Sequence, residues 1–294
     1  MRNKSNLKAS ILKIVLTLNF VFLSPLYSEE IAVSLAAKVY SLSVENTGTS
    51  MTDTTIKGAY GYIGYGSHSL SLEYDMISDT DDVSLQNNAL GIYTYYGQPG
   101  YRYKVGYQNI TTEETDNNGN VIILGLEHDS YDYYLTTRLW TAGVSIFGSS
   151  YNLTAGDQNV IQFSPHFTSY FYPILVPGYA DITTRYNSIF LSDSTDFEKS
   201  SFHNIEIAVN YYLNSFVLTS RVWTGESVYG VFDGGHVIYN STDILKTGIA
   251  SSLTYYFSKQ LSSTIGYQYQ IVRGADESSD TNFGKLMIMA GYAF

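Results

Sequence analysis

One short stretch of the sequence carries the residue types of nucleophilic catalysis. Gly125, His128 and Ser130 lie within six residues of one another, and Arg138 and Trp140 follow shortly afterwards. A serine hydroxyl attacks an acyl group when a histidine takes its proton, and a third group must hold that histidine in the reactive orientation. Whether this stretch is an acyl-transfer site therefore depends on whether the third group is present.

The spacing G-x-x-H-x-S followed by R-x-W resembles the catalytic segment of the outer-membrane phospholipase family. In that family Asn-Gly follows the serine, and an asparagine after the tryptophan orients the histidine. Here these positions are Tyr131-Asp132 and Thr141. The sequence also contains no phosphate-binding glycine loop, no cysteine and no H-E-x-x-H metal motif. We therefore expect no catalytic residues, no metal and no cofactor, and rank a lipid-modifying enzyme as the weakest of three functional alternatives.

A larger set of polar side chains recurs at every second position of strand-like segments. In the clearest segment, 101–108, three tyrosines and a valine alternate with Arg102, Lys104 and Gln108. A two-residue period places the two sets on opposite faces of a β-strand. Because Arg or Lys on a lipid face costs on the order of 2 to 4 kcal/mol at the bilayer midplane, we expect the polar set to face inwards. Applied to the whole chain, this argument predicts pore-lining residues at Lys57, Glu73, Asp75, Arg102, Lys104, Gln108, Arg138, Asp181, Arg185, Glu206, Arg221, Gln268, Gln270 and Lys285.

The segments that would position these side chains alternate in polarity and are separated by turn residues. They are predicted at 31–45, 55–65, 70–76, 89–96, 101–108, 121–128, 133–147, 160–172, 179–191, 202–212, 216–232, 246–257, 264–273 and 283–294. Fourteen such strands predict an all-β, antiparallel, up-and-down transmembrane barrel. Twelve or sixteen also fit, because boundaries read from sequence err by a few residues. Tight turns alternate with longer acidic loops, which predicts a periplasmic end and an extracellular end.

The last segment, 283–294, has one continuously apolar face and ends on Phe294. Its length suits a tilted transmembrane strand, which needs about 9 to 11 residues. A terminal strand that ends on an aromatic residue resembles the closing strand of Gram-negative outer-membrane β-barrels. The resemblance implies an outer-membrane location and recognition of this strand by the barrel-assembly machinery.

A second resemblance lies at 254–261, T-Y-Y-F-S-K-Q-L, which is similar to the strand, turn, strand signature Y-x-L-S-K-R-T of Gram-negative general porins. Phe257 stands where leucine is usual, and Gln260-Leu261 stands where Arg-Thr is usual. The resemblance covers only this turn and the C-terminal strand. It implies a porin-like channel without identifying a particular family.

The first 28 residues have the composition of a secretory signal peptide. Four basic residues between Arg2 and Lys13 precede or interrupt the apolar run 11–23, and the small residue Ser28 follows. This pattern predicts export, cleavage after about Ser28 and a single barrel domain at 29–294. The run is shorter than a transmembrane helix needs.

The composition agrees with an exported, acidic membrane barrel. The formal net charge of the whole chain is −11, there is no cysteine, and 29 residues are tyrosine. Lack of cysteine excludes disulfides and lipoprotein acylation, and we expect no nucleic-acid partner. Tyrosines form girdles at the headgroup level of membrane barrels, which predicts that many of them face outwards.

Acidic residues concentrate in the predicted extracellular loops, and two interpretations are open. Either like charge keeps these loops solvated, or their carboxylates bind divalent cations weakly and bridge to lipopolysaccharide phosphates, since hard oxygen ligands suit calcium and magnesium. The residues are Asp79, Asp81, Asp82, Glu113, Glu114, Asp116, Asp193, Asp196, Glu198, Asp276, Glu277 and Asp280.

Two segments echo each other, L-T-T-R-L-W-T at 135–141 and L-T-S-R-V-W-T at 218–224. The spacing predicts that Arg138 and Trp140 share the face that Arg221 and Trp223 share in the second copy. A hairpin duplication and a coincidence of strand chemistry are both compatible with this pattern.

Barrels of sixteen to eighteen strands enclose an aqueous channel, whereas barrels of eight strands fill with side chains. Fourteen strands therefore predict a lumen, and we expect a passive channel for small hydrophilic solutes or ions. The alternative is a non-conducting barrel with a structural or adhesive role, whose lumen is occluded by inward loops and salt bridges.

Overall fold

The computed structural model describes residues 31–45, 54–78, 84–97, 100–112, 118–132, 137–153, 156–172, 178–192, 199–238, 243–258, 260–273 and 280–293. The predicted signal peptide and Phe294 lie outside the described residues. Of the predicted acidic loop residues, the structure describes only Asp280.

Fourteen long strands form one closed antiparallel barrel, in which each strand pairs with its sequence neighbours and the first closes against the last. The predicted all-β up-and-down barrel and its strand number are confirmed. The strands are β1 (Ala32–Glu45), β2 (Thr54–Tyr65), β3 (His68–Ser78), β4 (Ser84–Tyr96), β5 (Tyr101–Thr112), β6 (Gly119–Tyr131), β7 (Arg138–Leu153), β8 (Gly156–Phe171), β9 (Tyr179–Leu191), β10 (Ser201–Leu213), β11 (Phe216–Ser227), β14 (Ile244–Tyr256), β15 (Leu261–Arg273) and β16 (Asp280–Ala293). Two short strands, β12 (Val231–Phe232) and β13 (Val237–Ile238), pair only with each other.

The outer face of the barrel is a continuous band of exposed apolar and aromatic side chains. Val105 is 54% exposed and Ile265 56% exposed, and their outward-facing neighbours on adjacent strands are of the same kind. An apolar surface of this extent is stable against lipid rather than water. Within the described residues, no helix is both long enough and apolar enough to cross a membrane.

The two ends of the barrel differ in their connections. Two-residue turns at Gly66–Ser67 and Asn214–Ser215 lie at one end of the barrel, together with the start of β1 and the end of β16. We call it the turn end. The opposite end, called the loop end, carries most of the longer connections. The predicted strands 133–147 and 160–172 leave twelve residues between them, and this gap is wrong. β7 and β8 continue through it and leave only residues 154–155 between them. Ser149, Tyr151, Gln158 and Val160 are buried in the inner face there, which explains the extra strand length.

The prediction that the arginine and the tryptophan share one face in both echo segments is also wrong. Trp223 is buried on the inner face beside Glu206, whereas Trp140 lies on the outer face and stacks on Phe167 at 5.9 Å. A register shift at the start of β7 turns Arg138 back towards the inside. The two segments therefore occupy non-equivalent positions.

Candidate functional site

Strand register places thirteen of the predicted pore-lining residues on the inner face of the barrel. These are Glu73, Asp75, Arg102, Lys104, Gln108, Arg138, Asp181, Arg185, Glu206, Arg221, Gln268, Gln270 and Lys285. For the strands that carry them, a two-residue period was sufficient to assign the face.

Lys57 lies on the outer face, contrary to the sequence-based prediction. It pairs with Val39 on β1 and Met76 on β3, both outward-facing, while the inward position beside it is Gly58 opposite Asp75. The segment around it is rich in glycine and tyrosine, so polarity alone did not define its inner face. Lys57 lies towards the loop end of β2, where a long basic side chain can reach the membrane interface.

Charged residues on β5 to β7 form an ion-pair cluster inside the barrel. Arg102 contacts Asp129 at 2.8 Å and Glu127 at 2.9 Å, and Lys104 contacts Glu127 at 2.6 Å. From β7, Arg138 reaches Asp129 at 3.3 Å. Arg102 and Glu127 are direct cross-strand partners, so the register of β5 and β6 brings these charges together. Both carboxylates are buried, whereas the three cations remain partly exposed to the lumen.

A second ion-pair group follows on β9 to β11. Glu206 accepts a hydrogen bond from Arg185 at 2.8 Å and lies 3.8 Å from Arg221. Because Arg221 also contacts Asp233 at 3.0 Å, this group joins the barrel wall to a segment inside the lumen.

The lumen contains an inward segment, residues 228–238, which we call the plug segment. It includes β12, a 3-10 turn at Asp233–Gly235 and β13. The prediction of one continuous strand at 216–232 is therefore wrong. The strand ends at a bulge where Gly225 has a φ of 111°, and a Cβ there would lie 2.3 Å from the carbonyl oxygen of His203. Only glycine permits this backbone, which redirects the chain into the barrel.

The plug segment is bound to the wall of β8 through the side chain of one glutamine. Gln162 donates to the carbonyl oxygen of Val231 at 2.6 Å and accepts from the amide nitrogen of Val231 at 2.8 Å. Nearby, Tyr229 stacks on Tyr151 of β7 with ring centroids 4.8 Å apart. Gln162 thus replaces a neighbouring strand for this part of the backbone and satisfies groups that burial would otherwise leave unpaired.

The tip of the plug segment is held by contacts with β11 and, across the lumen, with β3. Besides the Arg221–Asp233 pair, His236 lies 2.7 Å from Glu73 on β3. The Arg221 guanidinium lowers the pKa of the Asp233 carboxyl well below its ordinary value, with smaller contributions from His236 and Arg185. The plug segment therefore extends across the barrel from β8 to β3.

Apolar side chains line the inner wall beneath the plug segment. This cluster consists of Leu90, Ile92, Ile110, Val121, Ile123, Phe147, Tyr151, Val160, Ile189, Leu191 and Phe202 on β4 to β10, with Val228, Tyr229 and Val231 from the plug segment. Gly235 approaches so closely that a Cβ would lie 2.4 Å from Cδ1 of Ile123. Fully burying a large apolar side chain contributes about 1.5–3 kcal/mol, so this contact is the main attachment of the plug segment.

The inner wall of β15 and β16 is apolar near the loop end and polar beyond it. Near the loop end, Val272 and Phe283 are buried in a cluster with Phe232 of the plug segment. Gln268, Gln270 and Lys285 lie on its inner face and remain partly exposed, and Gln268 donates to Gln270 at 2.7 Å. On the turn side of this apolar contact, the lumen therefore keeps a polar surface.

The Ser130 and His128 positions give no support to an acyl-transfer site. The His128 ring packs against Tyr101 at 4.5 Å and Trp140 at 5.6 Å on the outer face. In the described parts of the chain, no hydrogen bond joins His128 to Ser130. Nor does any group of three or more metal-ligating side chains occur among those residues.

The fold is similar to solved outer-membrane proteins. A bacterial polysaccharide outer-membrane secretin matches with a TM-score of 0.52 at 9% identity, over 90% of this chain and 99% of that chain. The monoaromatic hydrocarbon channel CymD matches with a TM-score of 0.50 at 7% identity, over 91% of this chain and 89% of that chain. An outer-membrane channel from Pseudomonas putida F1 has a TM-score of 0.46 at 10% identity, over 94% and 100% of the two chains. At these identities the first two matches establish the fold alone.

No protein-family model matches the chain. No curated protein matches its sequence either.

The sequence-based argument missed the plug segment and the apolar inner wall. Two signals were present. Glycines at 225 and 230 interrupt the supposed strand 216–232 and Gly234-Gly235 follow it, and the run Val121-Ile-Ile-Leu124 is apolar at consecutive positions. A strand that is apolar on both faces is covered on both faces, which requires something inside the barrel.

Proposed function

We propose that this protein is a passive outer-membrane channel for small hydrophilic solutes or ions, exported by means of a signal peptide at residues 1–28. The observation that carries the proposal is a closed fourteen-strand barrel with an apolar outer face and a charged inner face. An apolar outer band suits lipid, and barrels larger than eight strands have interiors wider than side chains alone can fill.

In this proposal the plug segment sets the aperture. It packs on the apolar walls of β4 to β10 and of β14 to β16, so the path is narrowest there and widens on the turn side, beside the partly exposed Gln268, Gln270 and Lys285. Of the other predicted inner residues, Glu73 and Arg221 contact the plug segment. Arg102, Lys104 and Arg138 lie on its turn side and remain partly exposed. Partly exposed ionic side chains in such a path favour hydrated solutes over apolar ones.

A second candidate is a closed barrel with a structural or adhesive role. Two observations favour it. The plug segment packs tightly on the apolar wall, and inward charges such as Arg185 and Glu206 are paired with each other. A purely structural barrel neutralises its inward charges in pairs, whereas a channel keeps some of them exposed to the water in its lumen.

Conductance of the refolded full chain in a planar bilayer tests the proposal. We expect discrete single-channel steps, and swelling of proteoliposomes in small neutral solutes. Heat-denatured protein from the same preparation is the control for detergent leakage. Heat-modifiable migration shows whether the protein is correctly folded. If folded protein gives no conductance, the closed-barrel proposal replaces the channel proposal.

A further inference from the structure

Inward-facing tyrosines gather at the turn end of the lumen. Tyr179 on β9 and Tyr212 on β10 are cross-strand partners whose rings stack at 4.1 Å with an interplanar angle of 9°. Tyr170 on β8 lies on the inner face beside them, next to Asp181. We call Tyr170, Tyr179, Tyr212 and Asp181 the tyrosine cluster. Its position contrasts with the membrane girdle that the tyrosine content predicted.

Polar groups of fixed orientation accompany these rings. Asn210 donates to Asp181 at 2.9 Å and accepts from Thr219 at 2.8 Å, so the carboxylate and the amide are held by neighbouring strands. Asp181 is buried and also accepts from the Tyr212 hydroxyl, so it fixes the orientation of Asn210 and Tyr212. The partly buried hydroxyls of Tyr170 and Tyr212 and the amide of Asn210 border the lumen. Tyr179 is 38% exposed, so its ring faces the open part of the lumen.

This combination of groups suits a particular chemistry. Aromatic rings have negatively charged faces that attract the weakly positive C–H groups of a sugar ring, while phenol hydroxyl and amide groups form hydrogen bonds with its hydroxyls. Binding sites of this kind are largely aromatic and have a few precisely placed polar groups. We propose that the tyrosine cluster is a binding site for neutral carbohydrates within the lumen.

Two other ligand classes fit less well. Arg138 lies over the Tyr170 ring at 5.4 Å, so a cation already occupies that ring face and repels an organic cation. An aromatic carboxylate would approach Arg138 but would also meet the carboxylates of Asp181 and of Asp129, which is paired with Arg138 at 3.3 Å. A neutral ligand avoids both repulsions.

This inference rests on the proposed channel, because it names a solute class for the same lumen. The binding step can nevertheless be measured without conductance. The full chain is refolded in detergent micelles and titrated with maltotriose by calorimetry, with choline and benzoate as the cationic and anionic comparison ligands.

We expect saturable binding of maltotriose and weaker binding of choline and benzoate. Tyr179→Ala removes one stacking surface and should lower the affinity by about tenfold, whereas Tyr179→Phe should retain most of it. Tyr103→Ala is the matched control, since Tyr103 is an exposed tyrosine on the outer face of β5. Only variants with heat-modifiable migration like that of the wild type are compared.

Absence of maltotriose binding by the folded wild type would overturn the inference. So would equal affinities in Tyr179→Ala and Tyr103→Ala, or tighter binding of choline or benzoate than of the sugar. Sugar binding by a protein that does not conduct would refute the proposed channel and support the binding site. Conductance without sugar binding would support the channel and refute the binding site.

Discussion

The two halves of the lumen differ in what covers their walls. In the loop half, inward-facing Ile110, Val121 and Ile189 are completely buried under the plug segment and its neighbours. In the turn half, Arg138 and Tyr179 also face inwards but remain partly open to the lumen. Exposed apolar wall would cost about 25 cal/mol per Å², so the apolar half needs a covering segment and the polar half does not.

This contrast divides the work of the lumen. The plug segment limits how wide the path is, since it crosses the barrel from Gln162 to Glu73. In the proposed channel, the charges and rings of the turn half are the groups that would select among solutes. Variants in the two halves should therefore change different properties of the channel.

The largest effect should come from removing the plug segment. Replacing residues 228–238 by a short Gly-Ser linker should raise single-channel conductance several-fold, because the obstruction across the barrel is gone. The apolar wall is then exposed, so the thermal stability in detergent should fall. Shortening residues 113–117, a connection at the same end of the barrel, is the control. Unchanged conductance after plug removal would mean that the segment does not limit the path.

The next largest effect concerns the ion pairs of the turn half. The double substitution Arg102→Gln with Lys104→Gln leaves Glu127 and Asp129 without two of their cations. Removing one partner of a buried pair costs about 3–5 kcal/mol, and the reversal potential should shift towards cations. Adding Glu127→Gln should reverse part of both changes. A shift towards anions would contradict this account.

A smaller effect is expected at the attachment of the plug segment. Gln162→Ala leaves the amide and carbonyl of Val231 without their partner, at a cost of about 1–3 kcal/mol for each unsatisfied group. Amide hydrogen exchange at Val231 should become faster, and current noise should increase. Gln268→Ala is the matched control, because Gln268 bonds to Gln270 and not to the plug segment. Equal exchange in both variants would argue against the Gln162 attachment.

The pH dependence should be smaller still. The folded-state pKa of Asp233 is lowered by Arg221, so its contribution to plug docking is fully present above the unfolded-state value of about 3.9. It is lost as the pH falls through the lower folded-state pKa. The protection factors of the plug-segment amides, which correct for the intrinsic pH dependence of exchange, should therefore fall below about pH 4. Asp233→Asn should show fast exchange already at neutral pH, and the same acid response in both proteins would exclude Asp233 as its source.

The smallest effect is expected at Lys57. Because this side chain lies on the outer face, Lys57→Leu should leave ion selectivity unchanged, in contrast to the Arg102 and Lys104 pair. Reversal potentials measured under the same salt gradient compare the two variants. A shift in reversal potential as large as that of the double variant would mean that Lys57 faces the lumen.

Much of the fold followed from sequence because polarity alternates with a period of two. In β5, tyrosines alternate with Arg102, Lys104 and Gln108, and the cost of a charge in lipid determines which set faces inwards. The strand number was correct for the same reason. Face assignment failed at Lys57, where glycine and tyrosine on both sides left no contrast in polarity.

The paired charges were predicted only as inward residues. That Glu127 would be shared by Arg102 and Lys104 depends on the register of β5 against β6, which brings Glu127 opposite Arg102. Register between strands is a pairwise property that one strand's pattern does not contain.

By itself the sequence determined a fourteen-strand antiparallel barrel with an apolar outer face, because alternation within each strand is a local property. The tertiary structure decided that residues 228–238 fold inside the barrel, that Gln162 binds Val231, and that Tyr179 stacks on Tyr212. These contacts depend on the register between strands and on the path of the chain inside the barrel, which the pattern within one strand does not contain. The period of the sequence records which face a side chain occupies, but not which partner it meets there.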